Sequence, residues 1–214
     1  MKQSKNVKTT MQTTIIRSRR RSLCVQIHSE KGVIIRAPRY LSDRRIAKFL
    51  QEKQDWIKKT QTKVAKAQSN KPTYSFIPGE NFPLLGKLTT PPVHTRPKLI
   101  EWYKLKALPH LTKRTKIIAK ELETKTGKRV APREIRIRTY RSRWGTCSAK
   151  NAITYNWKII MAPPKIIDYL VAHELSHILH KNHGPKFKKT LSIIDPDYKA
   201  NQKWLRENGS TLSI

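Results

Sequence analysis

Four of the chain's seven histidines crowd into the eleven residues 173–183, which read HELSHILHKNH. No other feature constrains the fold as tightly. On an α-helix His173 and His177 stand only about 40° apart around the axis and one turn apart along it. The segment must therefore be helical for the two rings to share a face. Two imidazoles so placed can hold a zinc ion at roughly 2.0–2.1 Å each. Glu174 flanks the same face, where a carboxylate can take a proton from a water on the metal without being a ligand. Pro163-Pro164 supplies a start signal upstream, and Gly184-Pro185 limits the helix downstream.

The third ligand is less constrained by spacing. His180 lies seven residues after His173, so a straight helix puts it on the same stripe. His183 points elsewhere on a straight helix and lies about 9 Å beyond His177 along the axis. It can ligate only if the helix ends first and the chain turns back. Asn182 and Gly184 both tolerate the left-handed backbone of such a turn. No glutamate occurs between Glu174 and Glu207, while Asp195 and Asp197 stay open as alternatives.

Periodicity organises the remainder. Leu23, Val25 and Ile27 alternate with polar neighbours and are followed, after Gly32, by Val33-Ile34-Ile35, a β-hairpin pattern. Ser42 reads as a helix N-cap, with Leu41 and Ile46 at the spacing of a hydrophobic staple, and the helix is predicted to run to about Lys66. Residues 67–97 hold six of the thirteen prolines and read as an irregular connection. Pro97 can open the next helix, Pro109 should break or kink it, and Gly127 should stop it. Strands are expected at Ile135–Thr139 and Ile153–Ile159, and short helices at 185–193 and 197–207.

Charge sets the bounds on partners. Lys and Arg total 46 against 14 acidic residues, a net charge of +32. The excess is concentrated in residues 1–162, since residues 163–214 carry 8 basic and 5 acidic side chains. A basic body of this kind favours polyanions such as RNA or DNA; the plainer alternative is a solvated basic surface. No apolar run approaches the roughly 20 residues of a membrane span. The N-terminus is basic and polar, without the apolar stretch of a signal peptide, so a cytoplasmic protein is expected. Cys24 and Cys147, the only cysteines, are then expected as free thiols.

The segment RSRWGTCSAKNAITYNWKIIMAPPKIIDYLVAHELSHILHKNH resembles the YgjP-like metallopeptidase family, relatives of the SprT-like and WLM zincins. The shared pattern is a Trp-Gly-Ser-Cys-type turn, an Ile-x-x-Asn strand, a proline-led helix, HELxH and an Asn-His pair. Here Thr146 stands where serine is usual. The similarity extends more weakly to GVIIRAPRYLS and PGENFPLLGK and covers roughly residues 14–206.

The resemblance implies an α+β, zincin-like fold, with a twisted sheet packed on the HExxH helix and an N-terminal β-hairpin plus helix. It implies one zinc per chain held by His173, His177 and His183, with Glu174 as the base. A ligand arriving from beyond the helix end also suits a tetrahedral site better than a third turn of the same stripe. The expected organisation is a disordered basic tail over 1–13 and a single domain over 14–214. That domain has a hairpin and helix part at 14–70 and a catalytic part at 97–208.

Two chemistries fit such a site. The first is peptide hydrolysis, with residues 152–160 as an edge strand that binds substrate through Tyr155 and Asn156. The second is hydrolysis of a nucleoside triphosphate such as UTP to release diphosphate. In that reading Arg136, Arg138, Arg141 and Arg143 serve as a phosphate clamp. A nucleic-acid-binding protein with a vestigial site is a third reading, and the intact HELSH argues against it.

Overall fold

The computed structural model describes residues 13–28 and 31–214, so the basic tail expected over 1–13 lies, up to residue 12, outside the described residues. The chain divides into two compact units that meet at Lys71 and Pro72. Among the described residues it is an α+β structure of three small sheets and six α-helices. None of these helices is long and apolar enough to cross a membrane.

The N-terminal unit is built on the expected hairpin. Strands β2 (Cys24–His28) and β3 (Gly32–Pro38) pair antiparallel. The pattern is strand-like from Thr14, and there β1 (Thr13–Ser18) adds parallel to the other edge of β3. Its TTIIRS sequence is exposed almost throughout. The central strand buries Val33, Ile35 and Ala37, and these pack with Ile46 from the helical side. Ser42 caps α1 (Asp43–Glu52) by accepting from the Arg45 amide. Leu41 and Ile46 both join this core, as a hydrophobic staple requires. The single helix predicted to about Lys66 is instead two, α1 and α2 (Gln54–Ser69), divided at Lys53.

The second unit surrounds one long helix, α3 (Arg96–Thr126). Within the stretch expected to be irregular, β4 (Phe82–Leu84) and β5 (Lys87–Thr89) form a short hairpin. Its turn donates from Leu85 and Gly86 to the carbonyls of Ile160 and Met161. Pro97 lies in the first turn of α3, and Gly127 closes it with φ +65°. Pro109, expected to break or kink this helix, does not break it. Leu99, Tyr103, Ala107, Leu111, Thr115, Ile118, Ala119 and Leu122 form one buried stripe that runs through the proline. Pro109 itself is exposed, so the hydrogen bond it cannot donate is lost on the solvent side. Burial on the opposite face outweighs that loss.

α3 packs on β6 (Glu134–Arg138), on α4 (Pro164–Leu179), which carries His173 and His177, and on α5 (Pro185–Ile194), which follows His183. Arg114 of α3 grips Asp168 of α4 through two bonds, at 2.6 and 2.9 Å. The third sheet runs in the order β6–β8–β7, with β7 (Gly145–Cys147) antiparallel and β6 parallel to β8 (Ala152–Asn156). The strand expected to reach Ile159 stops at Asn156. Trp157–Met161 is a 3₁₀ turn that sinks four apolar side chains into the core before Pro164 opens α4. The last helix, α6 (Tyr198–Asn208), packs on α4.

An interior proline costs a helix about 3 kcal/mol, whereas its removal returns about 1 kcal/mol of freedom to the unfolded chain. Pro109→Ala is therefore expected to stabilise the protein by about 2 kcal/mol in a denaturant titration. Unchanged or lowered stability would mean that the surroundings are fitted to the proline ring.

Candidate metal centre

α4 is apolar on the side that meets the core, where Ile167, Val171, Ala172 and Leu175 have no exposure. The helix is therefore held in rotation, and His173 and His177 are left on one side of it. It ends at Leu179, because His180 leaves the helical range at φ −141° and ψ 106°. The backbone turns through Lys181 and Asn182, and Pro185 then starts α5. This reversal carries His183 back over the helix end. Its Nε2 lies 3.1 Å from Nε2 of His173 and 3.1 Å from Nε2 of His177. Lys181 fixes the reversal by donating to the Ser148 carbonyl at 3.2 Å and to Asn151 Oδ1 at 2.7 Å, in the turn between β7 and β8.

Three ring nitrogens pointing at one another cannot all be fully satisfied as hydrogen-bond partners, since each N–H serves one acceptor well. His177 Nδ1 lies 3.2 Å from the His180 carbonyl. Donation to that carbonyl leaves the Nε2 of His177 as a bare lone pair. Burial, with His177 and His183 adding to it, drives His173 down to about 4, and burial also lowers His177. Both rings are then neutral at pH 7, the state that ligates a cation. Tetrahedral coordination at 2.0–2.1 Å calls for nitrogens about 3.3–3.4 Å apart. The two 3.1 Å separations come within about 0.3 Å of that spacing. His173, His177 and His183 are also the one His/Cys/Asp/Glu group among the described residues with ligand geometry.

The alternatives left open by spacing, His180, Asp195 and Asp197, lie outside this group. His180 contributes its backbone carbonyl to the orientation of His177. Asp195 accepts from the Asp197 amide and from Asn201, and Asp197 pairs with Lys165 at 2.9 Å. One supporting residue had no signal in the sequence. Phe187, 2% exposed in the first turn of α5, sets its ring 5.0, 4.6 and 4.8 Å from the rings of His173, His177 and His183. It forms an apolar floor that holds all three imidazoles from one side. The neighbouring Gly184-Pro185 pointed only to a helix limit.

Glu174 is 4% exposed, and burial pushes its carboxyl up to about 8. Its niche depends on Gly145. A Cβ at that position would stand 2.5 Å from Oε1 of Glu174 and 2.8 Å from its carboxyl carbon. Any side chain there would displace the carboxylate. β7 has a neighbour on one side only. The bonds from Asn156 to the Trp144 carbonyl and from Ser148 to the Ala152 carbonyl fix its register. Even-numbered residues of β7 thus bond to β8, while Gly145 and Cys147 turn their amides and carbonyls to the open edge.

The substrate-facing residues expected on β8 require correction. β8 is the central strand, so residues 152–156 offer no free edge and 157–160 lie in the 3₁₀ turn; the sheet's edges belong to β6 and β7. Tyr155 is fully buried and its hydroxyl bonds Thr115 at 3.0 Å, inside the core. Asn156 is 2% exposed and donates to the carbonyls of Tyr140 and Arg143. It anchors the loop that leads into Gly145. Arg141 and Arg143 lie on that loop, exposed, and Arg143 rests over the Tyr140 ring. Arg136 is paired with Glu134. Cys24 and Cys147 are both free thiols.

This geometry gives His183 and His180 opposite expectations. His183→Ala should weaken zinc binding in a competitive chelator titration by at least about tenfold. His180→Ala keeps the backbone carbonyl that holds His177 and should bind zinc nearly as the parent does. The reverse order would make the His180 ring the ligand.

A model of the YgjP-like metallopeptidase domain matches residues 21–95 and 87–208. A search of curated proteins finds no significant match. The family match spans most of the sequence and includes the three histidines, Glu174 and Gly145. The chain belongs to the YgjP-like metallopeptidase-domain family.

Proposed function

We propose that the protein is a zinc-dependent peptidase with a zincin-like catalytic arrangement. His173, His177 and His183 hold one zinc ion, and Glu174 is the general base. The observation that carries this reading is the juxtaposition of three groups. Three imidazoles converge, a buried carboxylate sits one residue from the first of them, and a strand edge lies open against that carboxylate.

When bound, zinc supplies Lewis acidity toward the attacking water and the scissile carbonyl. The protein's own residues do the rest. The outward amides and carbonyls of Gly145 and Cys147 bind an extended peptide by adding it as a strand. Glu174 takes a proton from the attacking water and delivers it to the leaving amine nitrogen. Burial, the sole cause of its raised pKa, favours a carboxyl that can both accept and return a proton near neutral pH. Phe187 excludes water from one side of the histidine rings and keeps them from rotating.

The test compares zinc content and hydrolysis in the same preparations, with peptides and nucleoside triphosphates assayed in parallel. Glu174→Gln is expected to retain zinc and to lose peptide hydrolysis by about 10²–10⁴-fold. Gly145→Ala should also retain zinc and lower kcat by at least about tenfold, because its methyl group displaces the carboxylate. Loss of zinc from Glu174→Gln would make that residue a support of the metal site. Turnover of nucleoside triphosphates with no peptide cleavage would assign the site to phosphoanhydrides.

A further inference from the structure

Beside His173 lies a cleft of about 420 Å³ whose α6 side the hydrolytic steps above do not use. Its inner wall is His173 and Glu174, and its outer wall is the α6 pair Gln202 and Arg206. Gln202 and Arg206 are four residues apart on one helix and therefore point the same way. Trp144 and Tyr169 contribute aromatic surface. The Trp144 ring is held in position by the end of α6, because a Cβ at Gly209 would approach its Cζ2 to 2.8 Å. The cleft is thus a fixed space that opens on the reacting atoms, with aromatic walls and a polar end.

Its charge is one-sided. Arg206 is the only lysine or arginine lining the cleft, and Glu174, committed to the reaction, is the only acid. Arg206 is exposed and takes part in none of the six ion pairs among the described residues. A guanidinium at the end of an aromatic slot matches an anionic group on a short apolar stem, and it matches a planar carboxylate best.

The direction of the chain places that group. Gly145 belongs both to the open strand edge and to the cleft lining, whereas Cys147 belongs to the edge alone. A peptide added antiparallel to β7 runs from Cys147 toward Gly145. The residue that enters the cleft is then C-terminal to the one opposite Cys147, and with the cleaved bond between the two it lies on the carboxyl side.

We propose that this cleft is a specificity pocket in which Arg206 selects a peptide carboxylate just beyond the scissile bond. The carboxylate is either an acidic side chain or the C-terminus of the peptide. The proposal rests on the peptidase reading for its placement. Recognition of the carboxylate, however, is measurable without turnover.

The experiment is calorimetric binding to the zinc-loaded Glu174→Gln protein, using three matched peptides. The first has a glutamate in the sequence and an amidated C-terminus. The second has glutamine in its place and a free C-terminal carboxylate. The third has glutamine and an amidated C-terminus. One of the first two is expected to bind at least about tenfold tighter than the third. Whichever it is identifies the source of the carboxylate.

Adding Arg206→Gln should abolish that preference and leave binding of the third peptide unchanged. Arg206→Glu should turn the preference toward a peptide with lysine at the same position. Equal binding of all three peptides, or a preference that survives Arg206→Gln, would overturn the proposal. Cleavage assays with the parent protein separate the two readings. A carboxylate preference that depends on Arg206, in a protein that cleaves none of the peptides, contradicts the peptidase reading and leaves the pocket assigned.

Discussion

A helix must stop at the right residue for this site to exist. His173 and His177 share a face by helical periodicity alone, but two ligands from one face leave a metal loosely held. The third nitrogen has to come from another direction, and that requires α4 to end within three residues of His177. The end at Leu179 is secured by groups on several sides. His180 leaves the helical range, its carbonyl faces Nδ1 of His177, Lys181 is clamped to the β7–β8 turn, and Pro185 begins a new helix. One short turn thus delivers His183, orients His177 and brings Phe187 under all three rings.

The same economy appears on the carboxylate side. Glu174 is buried because α4 packs into the core, and it has room because β7 presents a glycine at the point of closest approach. Asn156 holds the 140–144 loop that aims Gly145. The long helix α3 matters here as a mould. Its uninterrupted buried stripe, together with the Arg114–Asp168 pair, sets α4 against the sheet. Loss of order in α3 is expected to reach the site through position, not through direct contact.

How much of this was legible in the sequence follows from how local each constraint is. Helix boundaries set by proline, glycine and capping residues were readable: Ser42, Pro97, Gly127 and Pro164 act at the ends of the elements they open or close. The reversal at Asn182-His183-Gly184 was readable in place but not in its means: neither Asn182 nor Gly184 takes the left-handed backbone expected there, and Gly184 is extended at φ −71° and ψ −176°. Pro109 misled because its penalty is local, whereas the burial that overrides it comes from the whole length of α3. Alternation around Tyr155 and Asn156 correctly marked a strand but could not tell its rank in the sheet. Strand order depends on pairing between β6, β7 and β8, and a three-residue strand such as β7 is too short for periodicity to register. Phe187 and Arg206 escaped notice because an aromatic or a basic residue on a surface helix has many uses, and only tertiary placement distinguishes theirs.

The central claim is that three imidazoles, one of them from beyond the end of the helix, form the metal site. X-ray absorption spectroscopy at the zinc edge, on protein expressed with zinc and freed of loosely bound metal, addresses it most directly. The account predicts about one zinc per chain, with three imidazole nitrogens and one light-atom ligand at roughly 2.0–2.1 Å. A first shell containing sulfur near 2.3 Å, fewer than three imidazoles, or no retained zinc would contradict it.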